Sequence, residues 1–297
     1  MRNINNTTNP ASRRGCFCAP LMILLLLAGA SLSQAQPSRF ATAYYNRGNE
    51  RFKKGDMDGA IADYDAAIIS YPRWARALIM RGCARYNKGD VAGSIVDFTR
   101  AIEIDPHLDQ AYYNRGKARR DKGDLEGSIA DYTRAIEINP RLSSAYNNRG
   151  NARQDMGDPD GAMADFDKAI RLDSHNPAFY NNSGLVRRAK GDLQGALADY
   201  NRAITINSRF ADAYSNRGNV RQDLGDLEGS IVDYNAAISL APSFAKAYGN
   251  RGLARLVLGD RAGAEKDFGQ CLKLDATLIP ALQEQIEHVK RRYPSKQ

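Results

Sequence analysis

Histidine and cysteine are scarce in this chain, at three and four of its 297 residues. His107, His175 and His288 are nowhere spaced as metal ligands on one helix. No Cys-x-x-Cys pair, phosphate-cradling loop or nucleophile elbow occurs. A chain without such a constellation is expected to be no enzyme and to carry no cofactor. Cys16 and Cys18 fall near the N-terminus, and Cys83 and Cys271 are far apart in the sequence, so no intramolecular disulfide is expected. Acidic residues are absent from residues 1–35, which carry Arg2, Arg13 and Arg14 and so leave +5 of the net charge of +8 to the remainder. That excess is spread along the chain, which argues against a nucleic-acid partner, whose footprint is a patch or stripe. The one dense basic run, Lys290, Arg291, Arg292 and Lys296, reads as the solvated end of a helix.

Long apolar runs are also missing, with a single short exception. Leu21-Met22-Ile23-Leu24-Leu25-Leu26-Leu27 follows Arg13 and Arg14, and Ser33-Gln34-Ala35 ends the segment. Basic, apolar and small-residue regions in that order make residues 1–35 a signal peptide cut after Ala35. The run is short for a membrane span, so an uncleaved anchor is the alternative reading. Both cysteines precede the run, which speaks against a lipoprotein, and Cys16 breaks the resemblance of Ser12-Arg13-Arg14 to a twin-arginine signal. An exported, periplasmic or envelope-associated protein with no stable membrane span after cleavage is the expectation.

What the chain has in abundance is repetition. Gly48, Gly82, Gly116, Gly150, Gly184, Gly218 and Gly252 stand 34 residues apart, which divides residues 41–278 into seven units: 41–74, 75–108, 109–142, 143–176, 177–210, 211–244 and 245–278. A fixed period of this size marks a solenoid whose units stack on their neighbours. In the third unit a first helix runs from about Gln110 to Lys122, and Gly123 stops it. Asp124 then caps a second helix with Leu125, Ser128, Ile129, Tyr132, Ala135 and Ile136 on one face. Asn139-Pro140 closes it. Small residues fall where the helices approach: Gly116 in the first and Ser128 in the second.

Gly116, Ser128, Tyr132, Ala135 and Pro140 follow the spacing of the tetratricopeptide repeat, and residues 41–278 resemble that family throughout. The resemblance implies an all-α, right-handed superhelical solenoid of seven helix-turn-helix repeats. The first helix of each would line a concave groove, and function would be binding of other proteins. Three junctions lack the proline, with Ser174, Ser208 and Ala276 in its place, and are expected to be looser. Residues 36–40 form a lead-in, in which Phe40 is expected to pack with Phe52 over the open end. Residues 279–297 form a capping helix and basic tail, with Leu282, Ile286, Val289 and Tyr293 on one stripe. Outside 1–35, the array and this cap, no second globular domain is expected.

The repeats depart from the family in one way. Arginine flanks the glycine, at Arg47, Arg81, Arg115, Arg149, Arg217 and Arg251 before it, with Ser183 the exception. After it come Arg51, Arg85, Arg119, Arg153, Arg187, Arg221 and Arg255. Each second helix carries a matching aspartate: Asp63, Asp97, Asp131, Asp165, Asp199, Asp233 and Asp267. Buried charges are paired, so an Arg–Asp lattice between helices is predicted over the alternative of arginines facing a ligand. Two residues before the glycine stand Asn46, Asn114, Asn148, Asn182, Asn216 and Asn250, with Met80 in the second repeat. The resemblance implies a peptide-gripping ladder, and a carboxamide offers both donor and acceptor. Tethering of a neighbouring helix is the competing reading. Tyr45, Phe52, Ile79, Tyr86 and Tyr113 give the N-terminal half an aromatic groove, read as a ligand patch over simple packing. Asn147, Asn151, Asn181, Ser215 and Asn219 make the middle polar. The family's carboxylate clamp requires a lysine one place before the ladder position; none stands there, so a co-chaperone of that type is argued against. The expected function is non-catalytic binding of an extended partner segment. The alternatives are a scaffold docking through the convex face or the ends, and a regulatory subunit of an enzyme.

Overall fold

The structure is a computed structural model and describes residues 36–293. The expected signal peptide, its cleavage point and Lys296 lie outside the described residues. The helices fall into two compact units that divide between Met156 and Gly157. The first holds α1 (Arg39–Lys53), α2 (Met57–Ser70), α3 (Ala75–Lys88), α4 (Val91–Ile104), α5 (Asp109–Asp121), α6 (Leu125–Ile138) and α7 (Ser143–Asp155). The second holds α8 (Pro159–Leu172), α9 (Pro177–Ala189), α10 (Leu193–Ile206), α11 (Ala211–Asp223), α12 (Leu227–Leu240), α13 (Ala245–Leu258) and α14 (Arg261–Leu274). A 3-10 turn at Ala276–Leu278 then leads into α15 (Ile279–Arg292). The architecture is an all-α solenoid of seven helix pairs with a C-terminal helix, and within each unit successive helices pack on one another. No helix among the described residues is long and apolar enough to cross a membrane.

Each turn within a pair is built from three residues. Gly123 takes φ +82°, a conformation open to glycine at little cost. Asp124 then caps α6, its carboxylate accepting from the Gly127 amide at 2.9 Å. A Cβ on Gly127 would stand 2.3 Å from that carboxylate, so the cap requires the second glycine as well. The same cap recurs in every pair, from Asp56 to Asp260.

The glycine that sets the repeat is a matter of contact. A Cβ on Gly82 would lie 2.7 Å from the Phe98 ring, and one on Gly218 would lie 2.7 Å from the Tyr234 ring. The two helices of a pair therefore close onto an aromatic that is shut off from water, as for Tyr64, Phe98, Tyr200 and Tyr234. Burying each such ring is worth about 2–3 kcal/mol.

One expectation is corrected here. Phe40 is 77% exposed, so it does not cover the open end; α1 already begins at Arg39, capped by Ser38, and carries Phe40 outward. The junctions without proline keep their turns closed by side chains. Asp173 accepts from the His175 amide, Asn207 from Arg209 and Asp275 from Thr277, each at 3.0 Å. Two of the proline-bearing junctions use the same bond, at Asp105 to His107 and Asn139 to Arg141, whereas Tyr71-Pro72 and Ala241-Pro242 have no Asp or Asn at that place. The Asx turn is thus shared by junctions with and without the proline. At the C-terminal end Leu282 is buried and Ile286 and Val289 pack with Leu253, Cys271 and Leu278, as a cap requires.

Candidate functional site

The Arg–Asp lattice is present in every pair whose two helices lie in one unit, with one of its two arginines missing in α9–α10. Arg115 donates from Nε and Nη2 to Asp131 at 2.9 and 2.8 Å, and Arg119 donates from Nη1 to Asp131 at 2.9 Å. The same fork joins Arg81 and Arg85 to Asp97, Arg217 and Arg221 to Asp233, and Arg251 and Arg255 to Asp267. The aspartates are almost fully buried, so two guanidinium groups per carboxylate are what make the burial tolerable.

The lattice reaches further than the spacing predicts. The remaining Nη1 of the first arginine donates back to the preceding repeat. Arg81 reaches Asp65 at 2.6 Å, Arg115 reaches Thr99 at 3.1 Å and Arg149 reaches Thr133 at 3.0 Å. In the second unit Arg217 reaches Asn201 at 2.7 Å and Arg251 reaches Asn235 at 2.6 Å. Except for Arg81, which has Leu78 at that place, these guanidinium groups also lie over a tyrosine three residues earlier, as Arg115 over Tyr112 at 5.6 Å and Arg251 over Tyr248 at 5.4 Å. Burial alone would lower the Arg81 pKa, but its bonds to Asp97 and Asp65 carry it above the ordinary value. These arginines are consumed inside the stack. The recurring tyrosine, at Tyr44, Tyr112, Tyr146, Tyr180, Tyr214 and Tyr248, was a sequence signal for this packing that spacing from the glycine alone does not decode.

The asparagines divide. Asn114 is buried, with Nδ2 3.6 Å from Cys83 Sγ and Oδ1 without a partner. Asn148 Nδ2 donates to the Tyr113 hydroxyl at 3.0 Å, and Asn216 Nδ2 to Asn181 Oδ1 at 2.9 Å. Asn250 Nδ2 donates to Asn219 Oδ1 at 2.8 Å. All four therefore reach back toward the first helix of the preceding repeat, which is the tethering reading. The contacts leave the Oδ1 atoms of Asn216 and Asn250 accepting no hydrogen bond among the described residues, and both side chains are only half-buried. Asn182 is half-buried and Asn46 is exposed.

The aromatic groove is corrected. Ile79, Tyr86 and Tyr113 are 5%, 2% and 8% exposed and belong to the core, because the next first helix closes over them. The Tyr86 hydroxyl is hydrogen-bonded to Asp121 of α5, and Tyr113 packs on Tyr132 with ring centres 5.8 Å apart. Tyr45 and Phe52 are half-buried, Tyr45 lying 4.6 Å from Trp74 ring to ring. Of the polar middle, Asn147, Asn181 and Ser215 are buried and Asn151 and Asn219 half-buried. Among the described residues no group of three or more His, Cys, Asp or Glu side chains is placed to hold a metal ion.

Sequence profiles described as "TPR repeat" match residues 116–157, 184–225 and 218–259. Profiles described as "Tetratricopeptide repeat" match 143–176, 45–109 and 245–278. No curated protein matches the chain. Among solved structures, the chain is similar to a tetratricopeptide repeat protein from Parabacteroides merdae at 18% identity and TM-score 0.68, covering 84% of this chain and 100% of that one. It is similar to a chain of the APC/C hetero-tetramer Cut9-Hcn1 at 17% identity and TM-score 0.70, covering 83% of this chain. It spans only 48% of that relative's length. It is also similar to YrrB, described as a TPR protein with an unusual peptide-binding site, at 23% identity and TM-score 0.51, covering 65% of this chain and 97% of that one. At these identities the likeness is one of fold.

Proposed function

This chain belongs to the tetratricopeptide-repeat family, and on that premise we propose that it is a non-catalytic interaction protein that holds an extended segment of a protein partner against its first helices. The observation that carries the reading is the state of Asn216 and Asn250. Each carboxamide is fixed by its own donated bond while its oxygen is left as an acceptor. A fixed acceptor on a half-buried face suits a main-chain N–H, which every partner residue but proline carries. Preorganisation of this kind lowers the entropy lost on binding. Asn182 and Asn46, on the same helix face of their repeats, extend the set; Asn114, Tyr86, Tyr113 and Ile79 are too deeply buried to join it.

The test is affinity capture from envelope extract with the purified chain, beside an Asn216→Ala/Asn250→Ala variant of unchanged helix content. A partner held by the parent and lost by the variant supports the reading. Equal retention would sink it in favour of a scaffold docking through the second helices, where Ile69 is 80% exposed and Val96 and Val232 are each 63% exposed. Export to the envelope belongs to the same proposal and rests on the basic, apolar and small-residue order of residues 1–35. The intact mass of the protein from its native cells tests it: a chain beginning at Gln36 is expected, and one beginning at Met1 would contradict cleavage.

A further inference from the structure

One arginine socket of the lattice lacks its arginine. In the repeat that starts at residue 177, Ser183 stands where Arg217 and Arg251 stand in the next two. The other walls are kept. Asp199 holds the place of Asp233, Asp167 of α8 that of Asn201, and Tyr180 that of Tyr214. Ser183 is too short to bridge them. Its Oγ donates to Asp199 Oδ2 at 2.7 Å, and Asp167 makes no hydrogen bond or ion pair among the described residues. Asp199 keeps one guanidinium, with Arg187 Nε at 3.0 Å, where its counterparts have two. Ser183 itself is fully buried, and the Arg202 guanidinium lies 6.0 Å from the Tyr180 ring centre, but the carboxylate is more open than its counterparts. The Asp199 side chain is 13% exposed, against 1–4% for Asp97, Asp131, Asp233 and Asp267. Burial holds the Asp199 carboxyl above its ordinary pKa, helped by Asp167 and Asp192 and opposed by Ser183 and Arg187.

We propose that Ser183, Asp199 and Asp167 form a binding site for a guanidinium group supplied in trans, by an arginine side chain of a bound partner. The chemical class of the ligand is read from this molecule itself. At the equivalent positions Arg81, Arg115, Arg217 and Arg251 each give two N–H groups to the aspartate and a third to the preceding repeat. Here those acceptors remain, and the second of them is a full carboxylate. A planar fork satisfies both carboxylates at once, whereas an ammonium offers no such fork. The reading that the chain binds a protein segment enters only as the source of the arginine.

The socket is tested on the purified chain with methylguanidinium, against methylammonium and sodium chloride at equal ionic strength. Amide resonances of α9 and α10 and the unfolding midpoint are followed. A saturable response to methylguanidinium is expected, several-fold weaker with methylammonium and lost in both Ser183→Arg and Asp199→Asn. An unsaturable response, or one that both variants share with the parent, overturns the site; should Ser183→Arg fail to fold, Asp199→Asn decides alone. A capped Gly-Arg-Gly peptide against Gly-Lys-Gly then identifies the source. Binding of methylguanidinium with no preference for the arginine peptide overturns the side-chain ligand. None of these readouts involves Asn216 or Asn250, so failure here is distinct from failure of the capture experiment.

Discussion

Arg115 gives its guanidinium to Asp131 on two sides and to Thr99 on the third, so its removal leaves a nearly buried carboxylate with a single partner, Arg119. In urea unfolding, Arg115→Ala and Asp131→Ala are each expected to cost about 3 kcal/mol, with a coupling of about 2 kcal/mol in the double-mutant cycle. Additive losses would mean that the two side chains meet without depending on each other. Tyrosines of the same rank differ for a comparable reason. The Tyr234 hydroxyl lies 2.9 Å from Asn219 Oδ1, whereas that of Tyr200 has no partner because Leu185 occupies the place of that asparagine. Tyr234→Phe is therefore expected to cost about 1 kcal/mol and Tyr200→Phe nothing or less than nothing, since an unmet buried hydroxyl is itself a cost. Equal losses in thermal unfolding would contradict this.

Among the elements, the α9–α10 pair is the one whose charges do not close. Asp199 binds a proton more readily folded than unfolded, burial being the main cause. Its contribution is therefore unfavourable at neutral pH, fully so above the raised folded pKa, and is relieved as pH falls through that value toward the ordinary carboxylate range. Asp199→Asn is expected to be more stable than the parent at pH 7 and to lose that advantage in acid; an advantage unchanged by pH would remove the carboxylate as its source. The turn between α5 and α6 is set chiefly by its cap, beside an Arg119–Asp124 ion pair at 3.5 Å. Asp124→Ala deletes the cap on the Gly127 amide and is expected to cost about 1 kcal/mol by denaturant titration.

For the whole molecule, the C-terminal end matters because a solenoid has no natural stop. Leu253, Cys271 and Leu278 are covered by Leu282, Ile286 and Val289 of α15. A chain ended after Leu278 would present that surface to water. It is expected to bind an apolar dye, self-associate and melt earlier than the full chain. A truncated chain that stays monomeric and melts with the parent would show that α15 is not the cap.

Much of this was legible from the amino-acid order because it is local and repeated. A Gly-Asp step that ends one helix and caps the next needs only residues within one turn, as at Gly123 and Asp124. A period of 34 residues turns one such turn into seven pairs. Even the Arg–Asp pairing could be read, since both partners sit in one helix pair and recur in step. What lay out of reach depends on the neighbouring repeat. Tyr86, Ile79 and Tyr113 share the helix face that a groove would use, and only the seating of the next first helix buries them. The same seating turns Asn148 toward Tyr113 and Asn216 toward Asn181, and carries each arginine's third N–H group back to the preceding repeat. Helix periodicity fixes which residues share a face; how far a neighbour covers that face is decided by the packing distance between helices, which no single repeat encodes.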